Sequence, residues 1–467
     1  MKKIAIFIAF AALFTACTEE APKVETQTQV NNDTVRVYSH PEWAKSANVY
    51  EVNIRQYTPE GTIAAFEKHL PRLKEMGVDI LWIMPVQPIG MLNRKGSKGS
   101  YYSIRNYDEI NPDFGTQEDF NNLVESAHAL GMKVILDWVA NHTSFDHIWV
   151  TNRPDFYTKD SLGYSPIVAL DNDGKSTDWT DVADLDYSND DLVGAMTESM
   201  RHWVIVSNID GFRCDMAGLV PVDFWEIAIA RLKETKPDLF FLAEWEDPAY
   251  LNIDKFDMGY SWTFHHMMNA VAKGDTSPIV FNSYLQKLQK EFRKDDMQLM
   301  FTTNHDENSW AGTVQERMGK NSKNMFVLAA TFQNGMPLIY GGQEAGLDKR
   351  LRFFEKDTIS WENTELIPFY TKMLALKHNN KALWNGLAGG KMKLIETGNP
   401  DEIYAFYREK EGNRVIVLLN FSDQAIQFKP QLEGIYGSYK ILEGVNVDWS
   451  TNPNLTLEPY QHLIVTQ

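Results

Sequence analysis

Apolar residues fall in short runs from about residue 49 to residue 380, and the stretches between the runs carry apolar residues at helical spacing. Val49-Tyr50-Glu51-Val52-Asn53-Ile54 reads as a first strand. Ile63, Phe66, Leu70, Leu73 and Met76 then recur at three- and four-residue intervals, with Thr62 as N-cap. Pro71 inside that pattern predicts a kink or weak point. Residues 78–85 form a second strand, and Thr116-Gln117-Glu118-Asp119 reads as a capping box before Phe120, Leu123 and Leu130. A third strand ends at Asp137, after which regular alternation stops through Asp186. It resumes with a helix carrying Met196, Met200, Trp203 and Val204, then a strand to Asp215 and a helix over 222–236. Further strands are predicted to end at Glu244, Tyr260, Thr303 and Tyr340, before a last helix over 366–377. Strands alternating with helices predict a parallel α/β architecture. Beyond residue 380 the runs become short and alternating, which predicts a C-terminal antiparallel β-sandwich.

Four of the strand-like runs end in an acid: Val134-Ile135-Leu136-Asp137, Gly211-Phe212-Arg213-Cys214-Asp215, Phe240-Phe241-Leu242-Ala243-Glu244 and Thr303-Asn304-His305-Asp306. A carboxylate at the end of a buried strand is costly unless it faces a polar cleft. In a (β/α)8 barrel that cleft lies at the C-terminal ends of the strands. Four such runs in series therefore predict one shared mouth. The expected organisation is a TIM barrel over 41–140 and 187–382, an inserted domain B over 141–186 after strand 3, and a β-sandwich over 383–467.

Composition narrows the function. The 467 residues carry a net charge of −18, which argues against nucleic acid and favours a neutral or cationic ligand. Thirteen Trp residues supply flat apolar faces with a polar edge, which suit a sugar, although packing is the default reading of any one of them.

The N-terminus reads as a targeting segment. Lys2-Lys3 precedes an apolar stretch over 4–14, and Phe14-Thr15-Ala16-Cys17 resembles a bacterial lipoprotein cleavage box. Residues 1–16 are then a signal peptide, Cys17 carries the lipid anchor, and 17–40 form a polar tether. Thr18-Glu19-Glu20 resembles a surface-export signal, so the expected location is the outer membrane of the cell envelope. Cys214 is the only other cysteine and reads as a small buried hydrophobe.

Asp137-Trp138-Val139-Ala140-Asn141-His142, Gly211-Phe212-Arg213-Cys214-Asp215, Ala243-Glu244 and Asn304-His305-Asp306 resemble, in order and spacing, the four conserved regions of the α-amylase family of glycoside hydrolases, often numbered thirteen. Gly99-Ser100-Tyr101-Tyr102-Ser103 and Val182-Ala183-Asp184-Leu185-Asp186 resemble two of its loop motifs. The resemblance implies retaining cleavage of α-glucosidic bonds in starch, glycogen or maltooligosaccharides, with α-1,4 linkages foremost. It implies Asp215 as nucleophile, Glu244 as acid/base with a raised pKa, and Asp306 as third acid. Arg213 would hold Asp215 ionised, and Asp137 would pair near Arg213. His142 and His305 would grip the sugar over Tyr101 as a stacking platform. An α-glucosidase or transglycosylase acting on short oligosaccharides is the alternative, and a non-catalytic binding relative is a remote one. Trp138, Trp149 and Trp310 either line the site or pack.

In one place the chain departs from the pattern. Many α-amylases carry Lys-His shortly after the nucleophile, and this chain has Met216-Ala217-Gly218-Leu219. Asn141 matches the family's calcium-ligand asparagine, so structural Ca2+ is an expected cofactor, with no organic one. The acidic run over 171–178 is either a further Ca2+ site or a solvated loop.

Overall fold

The structure is a computed structural model that describes residues 40–163, 166–252, 256–431, 438–442, 447–448 and 454–467. The expected signal peptide, Cys17 and the expected tether up to residue 39 lie outside the described residues. No described helix is long and apolar enough to cross a membrane.

Eight parallel strands close into a barrel: β1 (Val49–Val52), β2 (Ile80–Ile83), β3 (Lys133–Val139), β6 (Gly211–Asp215), β7 (Phe240–Ala243), β8 (Met258–Tyr260), β9 (Met297–Phe301) and β10 (Gly335–Tyr340). β1 closes the ring by pairing with both β2 and β10. Between β3 and β6, the insert carries β4 (His142–Ser144) paired antiparallel with β5 (Val182–Asp184).

The two-residue period of each strand sorts its side chains. Val49, Ile80, Trp82, Ile135, Phe240, Leu242 and Leu299 form the core inside the barrel. Their sequence neighbours Tyr50, Leu81, Val134, Leu136, Phe241 and Met300 pack outward against the helices. In β6, Phe212 and Cys214 belong to that outer layer. The same alternation therefore turns Arg213 and Asp215 inward. It also places Cys214 behind the strand, as a buried free thiol away from the mouth.

The local signals act as their chemistry predicts. Thr62 caps its helix through Ala65 N, and Thr116 and Asp119 form a reciprocal capping box. Pro71 sits in the first turn of a new helix, Leu70–Met76, so the expected kink is a break after Ile63–Glu67.

The C-terminal domain has β11 (Lys391–Leu394), β12 (Ile403–Lys410), β13 (Asn413–Asn420), β18 (His462–Thr466), β15 (Ser438–Ile441) and β16 (Val447–Asp448) in one antiparallel sheet, in that order. β14 (Ile426–Phe428) and β17 (Leu455–Leu457) form a second sheet. Ile403, Ala405, Ile416 and Leu418 pack with Phe428 and Leu457 between the sheets. The alternate residues Tyr404, Phe406, Val415 and Val417 join the core of the barrel's helical layer. The buried Arg408 guanidinium donates to the carbonyls of Thr331, Phe332, Trp384 and Gly390, which satisfies it without a carboxylate.

Candidate active site

A cleft of about 970 Å³ opens at the C-terminal ends of the strands. Asp215, Glu244, Asp306, His142 and His305 all line it. Arg213 lies beneath, fully buried at the centre of the barrel mouth.

One guanidinium organises the acids. Arg213 Nη1 donates to Asp137 Oδ1 and to Asp215 Oδ1, both at 2.9 Å. Its Nη2 lies 2.8 Å from Glu244 Oε1, an ion pair outside good hydrogen-bond angles. The other oxygen, Glu244 Oε2, accepts from Met216 N at 2.8 Å. Met216 adopts a left-handed backbone (φ 43°) immediately after Asp215, so the turn that aims its N–H at Glu244 is a costly conformation for a residue with a Cβ. Asp137 is structural: its Oδ2 also accepts from Trp82 Nε1 and Tyr102 Oη, each at 3.0 Å.

Burial pushes the Asp215 carboxyl well up; Arg213 pulls it down, and the neighbouring Glu244 and Asp137 push it further up. Burial also raises Glu244, against Arg213 and reinforced by Asp306. Three buried carboxyls around a single guanidinium cannot all be charged. Burial and mutual repulsion thus favour protonation within the cluster, against the pull of Arg213.

The two histidines differ. Burial drives His142 down to about 4, so its ring is neutral. Its Nδ1 faces the Asn141 amide at 3.2 Å and accepts from it, which leaves the proton on Nε2. For His305 burial also disfavours charge, but the Asp306 and Glu51 carboxylates outweigh it and hold the ring up at about 9. His305 Nδ1 donates to Glu51 Oε1 at 2.5 Å. Its Nε2 donates to Tyr102 Oη at 2.9 Å and lies 3.3 Å from Asp306 Oδ2. Glu51, the inward residue of β1, was not anticipated from the sequence; an acid among apolar neighbours in the first strand was the available signal.

Of the two adjacent tyrosines, Tyr102 and not the expected Tyr101 reaches the cleft. Tyr101 does not line the cleft: it is 1% exposed, and the Arg55 guanidinium covers its ring at 3.8 Å. Tyr102 faces the cleft, stacked on His305 at 5.4 Å between ring centroids. Two adjacent tyrosines cannot be separated by type alone, and the turn decides which faces in. Trp138 is buried in the core, Trp149 packs against it, and Trp310 is 56% exposed on the cleft rim. Trp245, next in sequence to Glu244 and an expected cover for it, lines the cleft; Trp179 and Trp262 also line it and were not anticipated.

Among the described residues no three His, Cys, Asp or Glu side chains converge as metal ligands. The Asn141 amide is turned to His142. In the 171–178 run, Asp171 accepts from the backbone of its own turn and Asp173 pairs with Lys175, as in a solvated loop.

The model of the alpha amylase catalytic domain matches residues 27–382. This chain belongs to the alpha-amylase family. It is a glycoside hydrolase of that family, and residues 392–464 match the C-terminal domain of maltogenic amylase. It is 25% identical to alpha-amylase MalA of Haloarcula japonica over 83% of this chain and 57% of that protein. It is 26% identical to alpha-amylase 3 of Dictyoglomus thermophilum over 80% and 77% of the two chains. The solved alpha-amylase of Lactobacillus plantarum superposes with a TM-score of 0.79 at 29% identity, covering 91% of this chain and 99% of that one. The noncanonic maltogenic alpha-amylase AmyB of Thermotoga neapolitana superposes at 0.77 with 27% identity, covering 91% and 97%.

Proposed function

We propose that this family member cleaves α-glucosidic bonds, α-1,4 foremost, in starch-like glucans and maltooligosaccharides with retention. The observation that carries the reading is the placement of Asp215 and Glu244 on one buried guanidinium at the barrel mouth. Retaining glycosidases need two carboxyls held close, about 5–5.5 Å apart. Asp215 accepts a direct hydrogen bond from Arg213, which favours its charged form and suits a nucleophile. Glu244 lacks that direct bond and has the off-angle ion pair and one backbone N–H, and it is the carboxyl to which this reading assigns the acid's proton.

In the first step Asp215 attacks the anomeric carbon, the glycosidic C–O bond breaks, and Glu244 gives its proton to the departing oxygen. In the second, water attacks the same carbon, Glu244 takes the water's proton, and the bond to Asp215 breaks. Asp306, partly exposed at the cleft, binds sugar hydroxyls beside the His305 imidazolium. The neutral His142 donates from Nε2, and the Tyr102 ring carries the apolar sugar face. A fluorinated glucosyl donor that deglycosylates slowly tests the covalent step. Mass spectrometry should then find the added sugar on the peptide that contains Asp215; an unlabelled enzyme turning over that donor would refute the covalent route.

Transfer to a second sugar is the other reading, supported by Trp245 and Trp262, which line the same cleft as Glu244 and offer an acceptor flat surfaces. The barrel over 41–140 and 187–382, insert over 141–186 and sandwich over 383–467 are the working domain limits. The lipoprotein reading rests on the sequence around Cys17: an outer-membrane anchor would hold the enzyme at the cell envelope.

A further inference from the structure

One side of the cleft is built from three loops that are tied to one another. The loop after β2 carries Lys95, whose Nζ lies 3.1 Å from Asp181 Oδ1 and donates to Asp178 O at 3.1 Å. Both acceptors belong to the insert, and the Asp181 carboxylate is almost wholly buried. The same Nζ sits 5.9 Å from the centre of the Phe354 ring, in the loop after β10. Ser97 N donates to Glu355 Oε1 at 3.0 Å, and Lys98 N donates to Phe354 O at 2.9 Å. Gly96 is pressed so closely on that loop that a Cβ would fall 2.6 Å from Phe354 Cβ. Phe353 and Phe354 in turn pack on Trp310, at 5.3 and 5.8 Å, in the turn that follows Asp306. Lys95, Asp181, Phe353, Phe354 and Trp310 all line the cleft, so this wall runs from the insert to the turn after β9.

Internal cleavage of a glucan requires chain to extend beyond the acids in both directions. The loops after β2 and β10 flank β1, across the ring from β7 and Glu244, so the wall stands in the path of chain leaving the acids in that direction and forces a chain end to seat there. We propose that Lys95 is a specificity-determining residue: by clasping the insert it closes one end of the cleft and confines the enzyme to bonds near the ends of glucan chains. This rests on the reading of Asp215 and Glu244 as the reacting pair. The ammonium suits the position because it reaches two insert oxygens from another loop, where a shorter or uncharged side chain would leave a gap and an unpaired buried carboxylate.

The test compares two readouts of one amylose digest: iodine colour lost and reducing ends released. Their ratio is independent of absolute rate. The wild-type enzyme should lose little colour per reducing end, as chain-end attack shortens polymers slowly. Lys95→Ala should raise that ratio by about threefold or more, because opening the wall admits internal segments. Asp181→Asn, which keeps the shape and removes the charge, should shift it in the same direction and decides the matter if Lys95→Ala has a lowered melting temperature. Rapid colour loss by the wild type, or an unchanged ratio in a folded variant, would overturn the proposal. Failure of the underlying reading shows elsewhere, as undiminished turnover by Asp215→Asn.

Discussion

The indole of Trp245 lies against Gly218, so closely that a Cβ on residue 218 would fall 2.0 Å from the ring. Gly218 stands three residues after Asp215, in the stretch where the resemblance led to an expectation of Lys-His. The departure thus has a physical partner: Trp245 occupies the room that a side chain there would need, next to Glu244.

Gly218→Ala should therefore displace Trp245. Overpacking of this kind costs ~1–3 kcal/mol, and a lowered melting temperature checks it. kcat/KM on maltotriose should fall with it. Adding Trp245→Ala should recover much of the lost stability, since the clash is then gone. Strictly additive losses in the double variant would show that the two residues do not share this space.

Tyr102 and Tyr101 should separate cleanly in kinetics. Tyr102→Ala removes the cleft-facing ring and the hydroxyl between His305 and Asp137, so kcat/KM should drop by ~10²-fold or more. Tyr101→Phe leaves the cleft unchanged and should stay within about threefold of wild type. The reverse ranking, measured with maltooligosaccharides, would restore Tyr101 as the platform.

The fold was legible to the level of its elements because strand and helix periods alternate strongly from Val49 onward. The acids were legible because each ends a strand run. Side-chain direction inside loops was not: Tyr101 and Tyr102 differ only in how the turn presents them. Glu51 escaped notice because its role depends on closure of the barrel, which brings β1 beside the loop after β9. The tie between Lys95 and Asp181 spans 86 residues and two loops, and no local pattern encodes such a contact.

The His305 pair predicts an alkaline limb of stability. Its folded pKa, about 9, is raised above the ordinary value of 6.5. The associated stabilisation is fully present below pH ~6.5 and is lost as pH rises through 9, at most ~3 kcal/mol for this one group. Denaturant midpoints should fall between these pH values, and Glu51→Gln should flatten that fall. A slope unchanged by Glu51→Gln would show that His305 is not held charged by this carboxylate.

If Cys17 carries the lipid anchor, Cys17→Ser should move the protein from the membrane fraction to the soluble one, since the acyl chains supply the attachment. An unchanged membrane-bound fraction on immunoblots would contradict the anchor.

Glu244→Gln should respond to the leaving group. With a natural glucan, loss of the acid should lower turnover by ~10²–10⁴-fold. With an activated donor whose leaving group needs no proton, the first step should survive far better than the second, visible as a burst before slow turnover. Equal losses on both substrates would remove Glu244 from the acid role.

Asp215→Asn tests the proposed nucleophile most directly. The amide keeps the shape of the side chain and removes its charge, so the variant should fold with a melting temperature near that of wild type. Turnover of maltooligosaccharides should fall by ~10³-fold or more, with no covalent sugar trapped on the enzyme. Wild-type turnover in the folded variant would contradict the account.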